Sequence, residues 1–281
     1  MAYPETSETS ETAVNRSPKI ILAVAMAALL LAAGFYSFNR SSNQTDVFRI
    51  DYVSARIARL AHTGEIPFLE DILRPKPILL TFDDSPEDTA TDHEILAILK
   101  EHHARAIWFI NCKNLDPAIN EDAASHRTVL KEIVSQGNVL GNHGYNHLDL
   151  AVIDKTNPML LGHEIGDCSN MIKSISGIQP NYFRPPFGVY TPHVKSVIEH
   201  DGMHLVHWSS NSFDSMLHAF KIKPQLYIWY LKHNPAFNIV GNANAGDILL
   251  MHDYPNTAYA LDGILTGLEK RGFVFVIPEQ P

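Results

Sequence analysis

The sequence predicts an α/β fold, a parallel sheet with helices outside it, either as a closed or nearly closed barrel or as a doubly wound layer. Two observations predict it. From residue 77 onward, short β-rich runs alternate with amphipathic helical stretches. The unusual polar residues then fall just after those runs, at the C-terminal strand ends where barrel enzymes assemble their sites from several loops. The chain has 281 residues, 45% of them hydrophobic, which is enough for an ample core. Its net charge of −9 argues against nucleic acid as a partner, because phosphate binding needs a basic face.

In chain order, residues 1–18 alternate Glu, Thr and Ser and read as a disordered cytoplasmic tail. Residues 20–38 are uncharged and mostly apolar, behind Arg16 and Lys19. At about 1.5 Å per residue, a helix of this length comes close to the roughly 30 Å of a bilayer core. Residues 19–38 are therefore expected to form a transmembrane anchor or an uncleaved signal sequence, with Ala32-Ala33-Gly34 as a weak cleavage site. Arg16 and Lys19 against Arg40 favour an N-terminus inside and an extracytoplasmic remainder. Residues 39–74 read as a linker carrying a short helix, with Val47, Ile50, Val53, Ile57 and Leu60 on one face.

Residues 75–281 form the main predicted domain. Its strands are expected at 78–82, 106–110, 138–141, 181–183, 203–207, 247–251 and 273–277, seven in all. Helices are expected near 90–102, 125–136, 158–176, 192–200, 223–232 and 257–270. Asp83 and Asp84 follow the first strand, His143 and His147 the third, and Arg184 the fourth. Asn211 and Asp214 follow the fifth, and His252 ends the sixth.

Two adjacent carboxylates at the end of a buried strand repel one another unless something positive arrives. Asp-Asp-Ser-Pro also reads as an ordinary turn. His143 and His147 have a spacing that lets two imidazoles grip one metal, although His200 and His204 share that spacing. An acid from the first strand end makes three protein ligands and leaves a coordination position for water, which is a catalytic arrangement. Arg184 precedes two prolines that fix the backbone; its guanidinium can hold a carboxylate. His252 is a candidate proton donor that Asp214 could orient; the plainer readings are a core histidine and a loop or N-cap acid. Cys112 and Cys168 either pair outside the cell or remain two buried thiols.

Together the motifs Thr81-Phe82-Asp83-Asp84, His143-x3-His147, Arg184-Pro185-Pro186-Phe187-Gly188, Asp214 and Leu250-x-His252 resemble the NodB-type polysaccharide deacetylases, carbohydrate esterase family 4. The resemblance implies a distorted (β/α) barrel of about seven strands. It implies Asp83 as base, Arg184 as its partner, and Asp84, His143 and His147 as ligands of a divalent cation. Zinc is the expected ion, with cobalt or another divalent cation as alternatives. Phe187, through its backbone N–H, and Leu250 would meet the substrate, and His252 supported by Asp214 would be the acid. The implied reaction is N-deacetylation of N-acetylglucosamine or N-acetylmuramic acid units in a polysaccharide, peptidoglycan first. An O-acetyl xylan esterase and a non-catalytic glycan-binding relative are the alternatives. The sequence departs from the family pattern at Ser85 (usually Gly), Gly144 (Ser or Thr), Phe187 (Tyr) and Ser215 (Trp).

Overall fold

The computed structural model describes residues 75–278. The tail, the apolar span and the linker expected before them lie outside the described residues. Among the described residues no helix is long and apolar enough to cross a membrane.

The strands are β1 (Lys76–Ser85), β2 (Ala106–Ile110), β3 (Val139–Asn142), β4 (Tyr182–Phe183), β5 (His204–Leu205), β6 (Ser210–Asn211), β7 (Asp247–His252) and β8 (Phe273–Phe275). Every pairing is parallel. The order is β5-β4-β3-β2-β1-β7-β6, with β8 beside the first residues of β1. This order follows the chain around a ring instead of reversing at a switch point, so the doubly wound alternative is excluded. β5 and β6 end the order without pairing, and the sheet curls without closing.

The curl has two apolar sides. Leu79, Ile107, Phe109, Val139, Tyr182, Val206 and Ile248 form one buried cluster. Their strand neighbours Ile78, Leu80, Phe82, Trp108, Ile110 and Leu140 point the other way and pack with the helices. Strands buried on both faces read as continuous apolar runs, which is why β1, β2 and β7 stand out in the sequence.

The helices are α1 (Thr89–Glu101), α2 (Ala123–Ser135), α3 (Leu150–Thr156), α4 (Cys168–Ser176), α5 (Pro192–His200), α6 (Asp214–Ala219), α7 (Pro224–His233), α8 (Ile239–Asn242) and α9 (Pro255–Lys270). α1 starts where the Asp88 side chain accepts the Thr91 N–H at 3.0 Å. The helix expected near 158–176 contains a π-helical segment, Gly162–Asp167, ahead of α4. All seven expected strands are present, and Ser210–Asn211 adds a two-residue strand, too short and too polar to show a pattern. Asn211 thus lies within β6, and Asp214 opens α6 instead of following the fifth strand directly. α3, α6 and α8 were not expected either; each spans seven residues or fewer.

Cys112 and Cys168 form a disulfide with Cα atoms 5.4 Å apart. It ties the segment after β2 to α4 across a sequence separation of 56. A cross-link closing a loop of this length restricts the unfolded chain, so Cys112→Ser is expected to lower stability by about 2–4 kcal/mol in urea unfolding.

Candidate active site and metal centre

At the end of β1 the register against β2 shifts between Phe82 and Ser85. Asp84 there takes a left-handed backbone, φ 67°. Successive side chains of a regular strand point to opposite faces. The irregularity instead brings both carboxylates towards one imidazole: His143 Nε2 is 3.7 Å from Asp83 Oδ2 and 3.6 Å from Asp84 Oδ1.

His143 follows β3, where its N–H bonds Ile110 O at 2.9 Å. Its Nδ1–H donates to the backbone carbonyl of Arg184 at 2.7 Å, which leaves Nε2 with a free lone pair. His147 Nε2 lies 3.2 Å from Asp84 Oδ1. One potential ligand atom from each of Asp84, His143 and His147 lies within 4.8 Å of the others. Burial pushes the His147 imidazole down to about 4, against the opposing pull of Asp84, so the ring is neutral and able to bind metal at pH 7. Burial raises the Asp84 carboxyl, but His143, His147, His252 and Lys113 together bring it below the usual range. Asp84 Oδ1 is buried without a hydrogen-bond partner. A buried, unpartnered carboxylate oxygen facing two imidazole nitrogens fits a divalent cation, and two N donors with one O donor suit zinc.

The loop between the two histidines is braced by Glu164, a buried acid of the π-helical segment. It accepts the N–H groups of Tyr145 at 3.1 Å and Asn146 at 2.9 Å, and the Asn146 amide at 2.8 Å. A side chain at Gly144 would put its Cβ 3.3 Å from Glu164 Oε2, on a backbone at φ +86°. Glycine is therefore the residue this brace accommodates, and the hydroxyl missing from Gly144 is made up by a carboxylate. Sequence gave no sign of Glu164, whose role depends on a contact across the fold.

Arg184 is fully buried and reaches from β4 to β1. Its Nη1 donates to Asp83 Oδ1 at 2.6 Å and Thr81 Oγ1 at 2.8 Å. Nε and Nη2 donate to the carbonyls of Val206 and His207, at 3.2 and 3.1 Å. The guanidinium also stacks on Phe109, 4.2 Å from the ring centroid.

Asp214, buried at the first position of α6, accepts four hydrogen bonds. They come from His252 Nδ1 at 2.8 Å, His252 N at 2.7 Å, Thr257 Oγ1 at 2.6 Å and Ser215 N at 2.7 Å. Burial alone would depress the His252 imidazole, but Asp214 beside it, helped by Asp83 and Asp84, holds it up at about 9. His252 Nε2 lies 4.0 Å from Asp84 Oδ2. Leu250, two residues earlier in β7, is buried beside Thr81 and Asn211. Phe187 is 58% exposed at φ 59°, its ring edge-on to His147 at 4.6 Å.

The structure thus brings Asp83, Asp84, His143, His147, Arg184, Asp214 and His252 into one connected cluster, with Phe187 at its rim. A separate cavity of about 390 Å³, lined by Arg105, Asn138, Val139 and Ile277, lies at the opposite strand ends, away from every acid and histidine of that cluster.

Comparison with known proteins points to one family. Residues 71–206 match the family described as polysaccharide deacetylase. A peptidoglycan-N-acetylglucosamine deacetylase of Bacillus cereus is 28% identical over 205 residues, covering 71% of this chain and 66% of that protein. The peptidoglycan-N-acetylmuramic acid deacetylase PdaA of Bacillus subtilis is 28% identical over 204 residues, covering 72% and 70%. Among solved structures, a T48 deacetylase with substrate superposes with a TM-score of 0.58 at 26% identity, over 72% of this chain and 88% of that one. Residues 71–206 thus carry a polysaccharide deacetylase domain, and over about seven-tenths of its length the chain is similar to enzymes named as deacetylases.

Proposed function

We propose that this domain removes N-acetyl groups from N-acetylglucosamine or N-acetylmuramic acid units of peptidoglycan, using a divalent cation, zinc first. The observation that carries this reading is the Asp84, His143 and His147 cluster standing between an arginine-held carboxylate and an aspartate-held imidazole. The names of the two Bacillus relatives support peptidoglycan as the polymer.

A cation on Asp84, His143 and His147 would lower the pKa of water at the site and polarise the acetamide carbonyl. Asp83, its second oxygen held by Arg184, accepts the proton of the attacking water. The Phe187 backbone N–H is assigned to the developing oxyanion. His252 Nε2 delivers a proton to the leaving amine, an essential step because an amide anion is a very poor leaving group. Acetate and a glucosamine or muramic acid unit leave.

A location outside the membrane, on an anchor formed by residues 19–38, belongs to the same proposal. The Cys112–Cys168 disulfide supports it, since such bonds persist in oxidising compartments.

The test is acetate release from purified peptidoglycan, chitin oligomers, poly-N-acetylglucosamine and acetylated xylan, with and without chelator. Release from peptidoglycan that chelator abolishes and zinc restores is expected. Release surviving chelation would sink the metal assignment, and release from xylan alone would make the domain an esterase.

The raised His252 also sets a pH dependence. A proton donor works while protonated, so activity is lost as pH rises through its pKa. Asp214→Asn removes the largest upward pull and leaves burial dominant, so the alkaline limb of kcat is expected to move to lower pH by about one unit or more. An unmoved limb would separate His252 from the proton transfer.

A further inference from the structure

We propose that Tyr254 is a further positioning residue, which fixes the plane of the His252 ring; this rests on the reading of His252 as proton donor. Asp214 grips the imidazole along one edge, through Nδ1. A single edge contact leaves the ring free to tilt about it. Tyr254 stacks on the imidazole face with an interplanar angle of 4° and centroids 5.2 Å apart. His218 also stacks on Tyr254, at 13° with centroids 4.0 Å apart. Tyr254 therefore stacks with two imidazoles, the His252 contact lying within the range of offset stacking.

Local chain geometry builds the stack. Residues 252 and 254 are two apart where the chain leaves β7, and alternate residues of an extended segment share a side. Asp214 and His218 lie four apart on α6, one above the other on a helix face. One short helix therefore supplies both the edge partner of His252 and a ring that stacks on Tyr254. Tyr254 also caps α9, which anchors its backbone to a sixteen-residue helix. With both constraints in place the ring keeps its Nε2 towards Asp84 Oδ2.

The test compares Tyr254→Phe and Tyr254→Trp, which keep a ring, with Tyr254→Leu, which does not. Tyr254→Leu is expected to lower kcat by about 10- to 100-fold with KM within about twofold, as for a misaligned catalytic group. Tyr254→Phe is expected to stay near wild type, and metal content to be unchanged in all variants. His218→Ala, at an exposed position, is expected to lower kcat about two- to fivefold and covers the case in which Tyr254→Leu does not fold. The His252 Cε1–H resonance gives a readout that needs no substrate: its upfield ring-current shift should persist in Tyr254→Phe and vanish in Tyr254→Leu. Wild type releasing no acetate would fail the activity, while the resonance would still report on the stack. Wild-type kcat in Tyr254→Leu, a rise in KM alone, equal losses in the Phe and Leu variants, or an unshifted resonance would each overturn the proposal.

Discussion

Asp83→Asn is expected to reduce kcat for acetate release by about 10³-fold, the scale on which a positioned general base acts. The substitution keeps the shape of the side chain and an oxygen that can accept from Arg184 Nη1, now 2.6 Å away. It removes the ability to take a proton. Asp84, His143 and His147 are untouched, so metal content by elemental analysis should equal that of wild type. The two measurements separate the two neighbouring acids. Asp84→Asn should lose activity together with metal, because it alters one of three ligands. If Asp83→Asn lost metal as well, the 3.7 Å approach of its Oδ2 to His143 Nε2 would mark Asp83 as a fourth ligand, and the base would have to be sought elsewhere.

Arg184→Met is expected to destabilise the domain by about 3–5 kcal/mol, the cost of breaking a buried ion pair by removing one partner. Methionine fills much of the same space but donates nothing. Asp83 would be left 3% exposed without its cation. The carbonyls of Val206 and His207 and the hydroxyl of Thr81 would lose their donor as well. Arg184→Lys should recover only part of this, because an ammonium cannot reproduce the planar fork or the stacking on Phe109. In urea unfolding, Asp83→Asn combined with Arg184→Met should cost less than the sum of the single substitutions. Strict additivity would show that the two residues are not coupled.

How far the sequence carried the fold depended on length and burial. β1, β2 and β7 are apolar on both faces, and their runs were visible without any partner. β6 and α6 escaped notice because two and six residues cannot display a period, yet α6 carries Asp214. Within the site, the paired acids, the paired histidines and Arg-Pro-Pro were legible because unusual residues stood together in the chain. Glu164 and Tyr254 were not. Each is an ordinary residue in its own segment and acquires a partner only when distant segments meet. Cys112 and Cys168 show the same limit, since two cysteines in a sequence say nothing of the 5.4 Å between their Cα atoms.

Six non-glycine residues among those described have positive φ, and four belong to or adjoin the site: Asp84, His147, Phe187, and Phe213 just before Asp214. A left-handed backbone costs a side-chain-bearing residue on the order of 1 kcal/mol, and glycine almost nothing. At Asp84 and His147 the chain therefore gives up stability to keep a particular side chain where it is needed, and at Phe187 to hold a ring against His147. A glycine at Phe187 should raise the melting temperature even as it strips the ring from His147. A bare main-chain trace, with every carboxylate and imidazole erased, would still mark the candidate site by its left-handed residues.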